Sequence, residues 1–441
     1  MKEKAFSGLL KRQVLLIGLL YMGDYLFFFF EQNYFNTYLD HVLYLPELYI
    51  SVMVSLSATV GLITMFLWGM ISDNTRSKFG RRRPYLLFGI LAGAGMVLYG
   101  LGFPLFGQSS TAYLWCVIID VVIIGVCSNA FLVAERSLIP DTIEAEKRGR
   151  ANGLINSISY IGLLIGVAFL LLGDLLFGIA DPRPGEDGTI ITQEGHFILL
   201  SLGGIVFIIV SIIGFIFIKE KKVTELPEKK KYFSEMKQTF NIAELRTQKE
   251  FFKMLLAFVI FQSGISSVMP FLFIFIFDLG LGTLDLLIGI VIAFPCVFVA
   301  TIYLGKAADK FGRKKFVPLS IVIVSIGFCL MPFAGILADK ILFMISLPFV
   351  LVGVLALVTP LNAWSQDLLP EDKRGKFTGI FNIVNTLSQI IGSFAGGIIA
   401  TLFGIPWIFV LGPIFFLISI PFFLKVKETV ELEVKETVKL E

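Results

Sequence analysis

The chain is a succession of long apolar blocks separated by short polar stretches. The blocks fall at about 14–38, 48–72, 84–106, 111–136, 151–174, 196–218, 251–277, 284–305, 315–335, 341–365, 376–402 and 405–425. Each is near the ~20 residues a helix needs to cross ~30 Å of hydrocarbon. The pattern therefore predicts twelve membrane-spanning helices. The connecting loops alternate in basic content. One set carries Arg76, Lys78 and Arg81 to Arg83; Lys147, Arg148 and Arg150; the 219–250 segment; Lys306, Lys310 and Arg313 to Lys315; and Lys373, Arg374 and Lys376, whereas the other set carries Arg183 and Lys340. Basic loops stay on the cytoplasmic side, so both termini are expected there and the number of spans must be even.

The longest cytoplasmic connection, 219–250, divides the chain near its middle. It begins Lys/Glu-rich and turns amphipathic from Phe233 to Arg246, as expected of a linker helix on the membrane surface. Across it the sequence repeats itself. Gly69-x3-Asp73 with Phe79-Gly80-Arg81-Arg82 is echoed by Gly305-x3-Asp309 with Phe311-Gly312-Arg313-Lys314. Leu138-Ile139-Pro140, Lys147-Arg148-Gly149-Arg150 and Asn156 are echoed by Leu368-Leu369-Pro370, Lys373-Arg374-Gly375-Lys376 and Asn382. The expectation is an all-α integral membrane fold of two six-helix bundles, 1–218 and 251–425, with a linker at 219–250 and a cytoplasmic tail at 426–441.

Composition agrees: 56% of the 441 residues are hydrophobic and 16% charged, against roughly a quarter charged in a soluble domain. No stretch reads as a cleavable signal, because the first apolar block is too long and lacks a small-residue cleavage site. Cys116, Cys127, Cys296 and Cys329 all lie inside apolar blocks and are expected to be buried free thiols. His41 and His196 fall in or beside outer loops. Neither metal-ligand spacing nor a nucleotide loop or catalytic constellation is present, so no metal, cofactor, nucleic-acid partner or enzymatic activity is expected.

The Gly-x3-Asp…Gly-Arg-Arg loop after the second helix resembles the signature of the major facilitator superfamily. Asp73 stands at a helix C-terminus, where the macrodipole disfavours an anion, so adjacent arginines or another helix N-terminus must compensate it. The resemblance implies a latch on the cytoplasmic side, built from Asp73, Arg76, Arg81, Asp309 and Arg313. The fuller motif, Gly69 through Pro84, resembles the sucrose transporters and the glycoside–pentoside–hexuronide:cation symporters. Tyr21-Met-Gly23-Asp24, Arg136-Ser-Leu-Ile-Pro-Asp141 and Gly379-Ile-Phe-Asn382 with Gln389 resemble the same group. The resemblance touches helices one, two, four and eleven. It departs where those symporters place cation-binding aspartates in helix two, since Gly61 and Met65 stand there. The helix-four aspartate of the sucrose family falls at Gly125, with Asp120 a little over one turn away. Proton coupling, or no coupling cation, is thus favoured over sodium.

Ionisable groups in a membrane span are costly and mark ion or substrate paths. Asp24 lies ~16 Å along the first helix, and Glu31, two turns further on, shares its face with Phe28, Phe35 and Tyr38. Asp120 lies near mid-depth in helix four. Asp24, Glu31 and Asp120 are the ion-coupling candidates. Arg136, beside Glu135, is a substrate-binding candidate, a partner for Asp24 or Asp120, or a topogenic charge. Asn129, Gln262, Asn362, Asn382 and Gln389 supply amides suited to sugar hydroxyls, and Trp364 an aromatic face suited to a pyranose. Asn156, Ser159, Ser263 and Gln366 share these helices. For each, interhelical hydrogen bonding is the plainer reading. The phenylalanines at 27–30, 271, 273, 275 and 277 read as packing or lipid-facing. Pro270, Pro295 and Pro360 interrupt helices, while Gly392, Gly396 and Gly397 permit close helix contact.

The expected function is proton-coupled symport of a glycoside or oligosaccharide across the plasma membrane, by rocking of the two halves around a central site. The expected partners are a small-molecule substrate, a coupling cation and membrane lipid. A carrier of another solute (lysolipid, organic acid or drug) and a non-transporting membrane sensor of the same fold are the rival readings.

Overall fold

The computed structural model of the protein describes residues 8–184, 188–220, 249–281, 283–353 and 374–429, with 357, 360, 361, 364, 365 and 368. The chain divides into two compact units, Met1–Met236 with Ile276–Thr283, and Lys237–Phe275 with Leu284–Glu441. The helices of the first half are α1 (Gly8–His41), α2 (Glu47–Asn74), α3 (Arg83–Tyr99), α4 (Ser110–Thr142), α5 (Ala145–Phe177) and α6 (Gln193–Phe217). Those of the second are α7 (Lys249–Asp278), α8 (Thr283–Phe311), α9 (Arg313–Ile336), α10 (Lys340–Leu351), α11 (Arg374–Phe403) and α12 (Ile408–Leu424). Among the described residues ten helices are long and apolar enough to cross a membrane; α3 and α10 are shorter apolar helices. The expected linker helix at Phe233 to Arg246 lies outside the described residues.

Close helix contact is made by glycine in both halves. In the first, α5 packs on α1 at Gly162, where an added Cβ would strike the Met22 carbonyl, and α3 meets α6 at Gly93 and Gly204, where a Cβ on either would strike the other's carbonyl. In the second, Gly392 and Gly396 of α11 lie against the Ser263 and Ser267 carbonyls of α7. The close packing expected of Gly392 and Gly396 is therefore present, and it pairs α11 with α7 as α5 pairs with α1. Lipid tails supply no hydrophobic drive between helices, so this fit is what holds them together. Phe27, Phe30, Phe271, Phe275 and Phe277 are buried packing residues.

Several local departures from regular helix matter. Pro270 sits in a 3-10 turn, Met269–Phe271, that interrupts α7, because proline has no N–H to continue the ladder. Ile118–Ile124 in α4 is a π turn. Between α5 and α6 a two-stranded antiparallel ribbon, β1 (Gly178–Ala180) and β2 (Thr189–Ile191), pairs Gly178 with Ile191. Neither the π turn nor the ribbon was expected from hydropathy.

One expectation is corrected. Cys116 and Cys127 are buried, but Cys296 on α8 and Cys329 on α9 are exposed on the protein surface. An apolar helix has an outer face that lipid covers as readily as protein does, so apolar surroundings in sequence do not imply burial in protein.

Candidate functional site

The duplicated loop is built the same way twice. Gly80 has φ +113° and Gly312 φ +85°, a region open to glycine and strained for other residues. The turn at Gly80 delivers three consecutive backbone N–H groups to one carboxylate. Glu220 accepts from Arg81 at 2.8 Å, Arg82 at 2.9 Å and Arg83 at 2.5 Å. It thereby satisfies the donors that the first turn of a helix leaves open. In the second half Glu428 accepts from the backbone of Lys314 at 2.8 Å. Each acid follows the last helix of its own half.

The side-chain network of the loop centres on Arg82, not Arg81. Arg82 is buried and pairs with Asp73, donates Nη1 to the Ser72 hydroxyl at 2.6 Å and donates Nε to Asp141 at 3.1 Å. Arg81 makes a forked contact to both Asp141 oxygens at 2.6 Å. Arg76 donates to the carbonyls of Asp73 and Thr75, both at 2.9 Å, where α2 ends. The helix-end anion at Asp73 is thus compensated by an adjacent arginine, as the dipole argument requires. Asp141, the last residue of the Arg136–Asp141 stretch, joins the loop to the end of α4. In the second half Arg313 is buried at the first position of α9. The side chain of Asp309 lies outside the described residues.

Deeper in the first half lies a group of carboxyls. Asp24 of α1 is 3% exposed, Asp120 of α4 is 3% exposed, and Glu135 of α4 is fully enclosed. Asp24, Glu135 and Arg136 interact electrostatically, with Tyr21 and Tyr25 of α1 beside them. Arg136 itself is on the exposed side of α4. Glu31 lies within electrostatic reach of Asp120 and Asp24, and Asp120 accepts a hydrogen bond from Ser57. Among the described residues, Oδ1 of Asp24, Oδ1 of Asp120, Oε2 of Glu31 and both oxygens of Glu135 are buried without a hydrogen-bond partner. The three candidates Asp24, Glu31 and Asp120 are therefore brought together. Glu135 joins them, a residue sequence reasoning noted only as the neighbour of Arg136.

The π turn explains the displaced aspartate. Gly125 N–H bonds back to the Asp120 carbonyl, five residues earlier, as a π helix requires. Asp120 is thus one turn from Gly125.

The neutral candidates separate. Asn129 spends its amide inside the bundle, on the Gly125 carbonyl at 2.6 Å and the Thr64 hydroxyl at 3.2 Å. Trp364 is fully buried, stacked on Phe423, and donates Nε1 to the Lys427 carbonyl at 3.1 Å. Trp364 presents no free face to a sugar. Gln262 is half-buried with its carbonyl oxygen unpartnered, and Gln389 is half-buried on α11. Asn362, and the side chain of Asn382, lie outside the described residues.

At the opposite end of α1 is a second cluster that sequence reasoning missed. Arg183 clamps Asp40 at 3.1 and 3.2 Å and Asp181 at 2.8 Å, tying the ribbon loop to α1. Burial alone would lower the Arg183 pKa, but the Asp181 hydrogen bond and the Asp40 charge outweigh it and raise it. His41 and His196 are both buried here, His41 accepting from the Ile191 N–H at 3.1 Å and His196 meeting the Thr37 hydroxyl at 3.1 Å.

The chain as a whole has counterparts among known proteins. The model of the Major Facilitator Superfamily matches residues 14–302 and 287–440. The chain belongs to this superfamily. By family and by its long apolar helices it is a multi-pass membrane protein. Multidrug resistance protein 3 of Bacillus subtilis (strain 168) is 30% identical over 128 residues, 29% of this chain and 24% of that protein. The class H tetracycline resistance protein of Pasteurella multocida is 26% identical over 344 residues, 77% of this chain and 76% of that one. The chain spans from 24% to 42% of the length of the first four curated relatives, all named for multidrug resistance or efflux. Among solved structures, a bacterial homologue of the human lysosomal transporter Spinster superposes with a TM-score of 0.68 at 12% identity, covering 95% of this chain and 97% of that one. The xylose transporter XylE of E. coli, partially occluded and inward open, gives 0.65 at 16% identity, covering 95% and 99%. At these identities the structures speak for the fold alone.

Proposed function

We propose that the chain is a proton-driven secondary carrier that exchanges an amphiphilic organic cation for protons by alternating access. The observation that carries this reading is the carboxyl group of Asp24, Glu31, Asp120 and Glu135 within membrane-spanning helices, with Arg136 as the neighbouring base. A charge in this setting costs several kcal/mol, so these groups are neutralised by binding a proton or a cationic ligand. Exchange follows because a proton on one of these carboxyls lowers the negative charge that holds a cationic ligand on its neighbours. Asp24 takes the coupling role because it lies between the Glu31 and Glu135 sites. Gly61 and Met65 of α2 provide no sodium-binding carboxylate, which favours the proton. The loop network around Asp73, Arg76, Arg81, Arg82 and Asp141, with Asp309 and Arg313 in the second half, acts as the cytoplasmic latch. Relatives named for drug and tetracycline resistance agree with this substrate class.

Proton–glycoside symport is the second reading, supported by the loop and helix-one motifs and by the unpartnered Gln262 carbonyl. Proteoliposomes with an imposed pH gradient separate the two, using ethidium and labelled maltose as probes. The proposal expects gradient-driven ethidium flux that a proton ionophore abolishes, with no maltose flux. Maltose flux without ethidium flux would establish the second reading, and flux of neither would sink both.

A further inference from the structure

A groove of about 510 Å³ opens on the first half at the end of α1 that the basic-loop pattern assigns to the cytoplasm, lined by Lys11, Arg12, Leu15, Leu16, Leu19 and Ile158. Arg12, Leu15, Leu16 and Leu19 follow i, i+3, i+4, i+7 spacing and so form one stripe of α1. Ile158 of α5 makes the opposite wall. The stripe is open to the surroundings: Lys11 and Arg12 are exposed, and Leu15 is 44% exposed. The Arg12 guanidinium lies 5.8 Å from the ring centroid of Phe217 on α6, itself 44% exposed. The groove thus lies between α1 and α5, with Phe217 of α6 beside its basic end. Among the described residues neither Lys11 nor Arg12 meets a carboxylate. Lys219 is held at the same edge by its backbone N–H to Gln13 Oε1 at 3.0 Å.

We propose that this groove binds an anionic phospholipid of the cytoplasmic leaflet, its phosphate on Lys11 and Arg12 and an acyl chain along Leu15, Leu16 and Leu19. The chemistry is divided as a lipid is divided. Two cations that meet no carboxylate among the described residues stand at the interface, and an apolar trough runs inward for about 10 Å, seven residues at 1.5 Å each. Arg suits phosphate because its fork donates two parallel hydrogen bonds, and the ring of Phe217 holds the guanidinium at the mouth. A zwitterionic lipid fills the same trough with no net charge for these cations. A free phosphate leaves the trough empty. The site lies at the ends of α1 and α6, so its occupant holds the start of α1 against α6.

The test titrates short-chain phosphatidylglycerol, short-chain phosphatidylcholine and inorganic phosphate into the purified full chain in neutral detergent. Melting temperature is read alongside lipid adducts by native mass spectrometry. Phosphatidylglycerol should raise the melting temperature saturably with one tightly held adduct, while phosphatidylcholine and phosphate should not. Each basic residue near an anionic group is worth about a factor of five, so Lys11→Gln with Arg12→Gln should weaken phosphatidylglycerol binding about 25-fold. Leu19→Trp, which fills the trough and leaves the charges, should also weaken it. That variant decides the matter if the double variant folds poorly. Equal responses to the two lipids, a response to phosphate alone, or unchanged binding by both variants would overturn the proposal. No transport step enters the measurement, so its failure leaves the carrier reading untouched.

Discussion

Replacing Arg82 by alanine tests the loop network more sharply than any change at its neighbours. The guanidinium, 5% exposed, holds Asp73, Asp141 and Ser72 at once, whereas Arg81, 11% exposed, holds Asp141 alone. Breaking a fully buried pair costs about 3–5 kcal/mol, and a surface pair about 1 kcal/mol or less. Asp73 is 41% exposed and Asp141 25% exposed, so the network lies between these limits. Arg82→Ala also leaves Asp141 its forked contact with Arg81. The loss is therefore the Asp73 pair, one charged hydrogen bond to Ser72 and part of the Asp141 contact, roughly 2–3 kcal/mol in all. Arg81→Ala removes one partner from an acid that keeps another, roughly 1 kcal/mol. For a half of this size a kcal/mol moves the melting temperature by about 2–4 °C. Thermal melts in detergent should therefore show Arg82→Ala falling by about 4–12 °C and Arg81→Ala by half that or less. Arg82→Lys, which keeps the charge but cannot fork, should fall between. A double-mutant cycle with Asp141→Asn should return a coupling energy for both arginines. Equal melting of Arg81→Ala and Arg82→Ala, or an Arg82→Ala melt within error of wild type, would refute the assignment of Arg82 as the hub.

Glu220→Ala removes the acceptor for three backbone N–H groups and should cost about 1–2 kcal/mol. Glu220→Gln, which keeps one acceptor oxygen, should recover most of it, and thermal melts of the pair check this. Gly392→Val drives a branched side chain into the Ser263 carbonyl of α7 and should destabilise the second half by about 1–3 kcal/mol, measured by the midpoint of detergent-induced unfolding. A small apolar maleimide applied to the folded protein in detergent should modify Cys296 and Cys329 and spare Cys116 and Cys127 until unfolding, as peptide mapping would reveal.

The twelve-helix plan was legible because membrane spans are written in length and apolarity, and the duplicated Gly-Arg loop because its turn needs glycine at 80 and at 312. The hub of that loop was not. Three arginines stand in a row, and which one turns inward depends on Glu220, far along the chain, gathering their backbone N–H groups. The π turn at Asp120 is equally silent, since IIDVVII contains neither proline nor glycine to mark it. Glu135 and Arg136 read alike as charges at a helix end; only the packing of α4 against α1 encloses the acid and leaves the base outside. Trp364 and Asn129 fit a sugar site by chemistry alone, yet their donor N–H groups are taken by Lys427 and by Gly125 with Thr64. Residue type conveys what a side chain is able to do; its partners decide whether it remains free to do it.

The central claim is that the buried carboxyls of the first half couple protons to substrate, with Asp24 at their centre. Ethidium movement by Asp24→Asn in proteoliposomes, measured both as accumulation under an imposed pH gradient and as exchange at equal pH, tests it most directly. Accumulation should fall to the level of empty liposomes while exchange persists, because the carrier still alternates but no longer trades a proton. Accumulation equal to wild type would contradict the account.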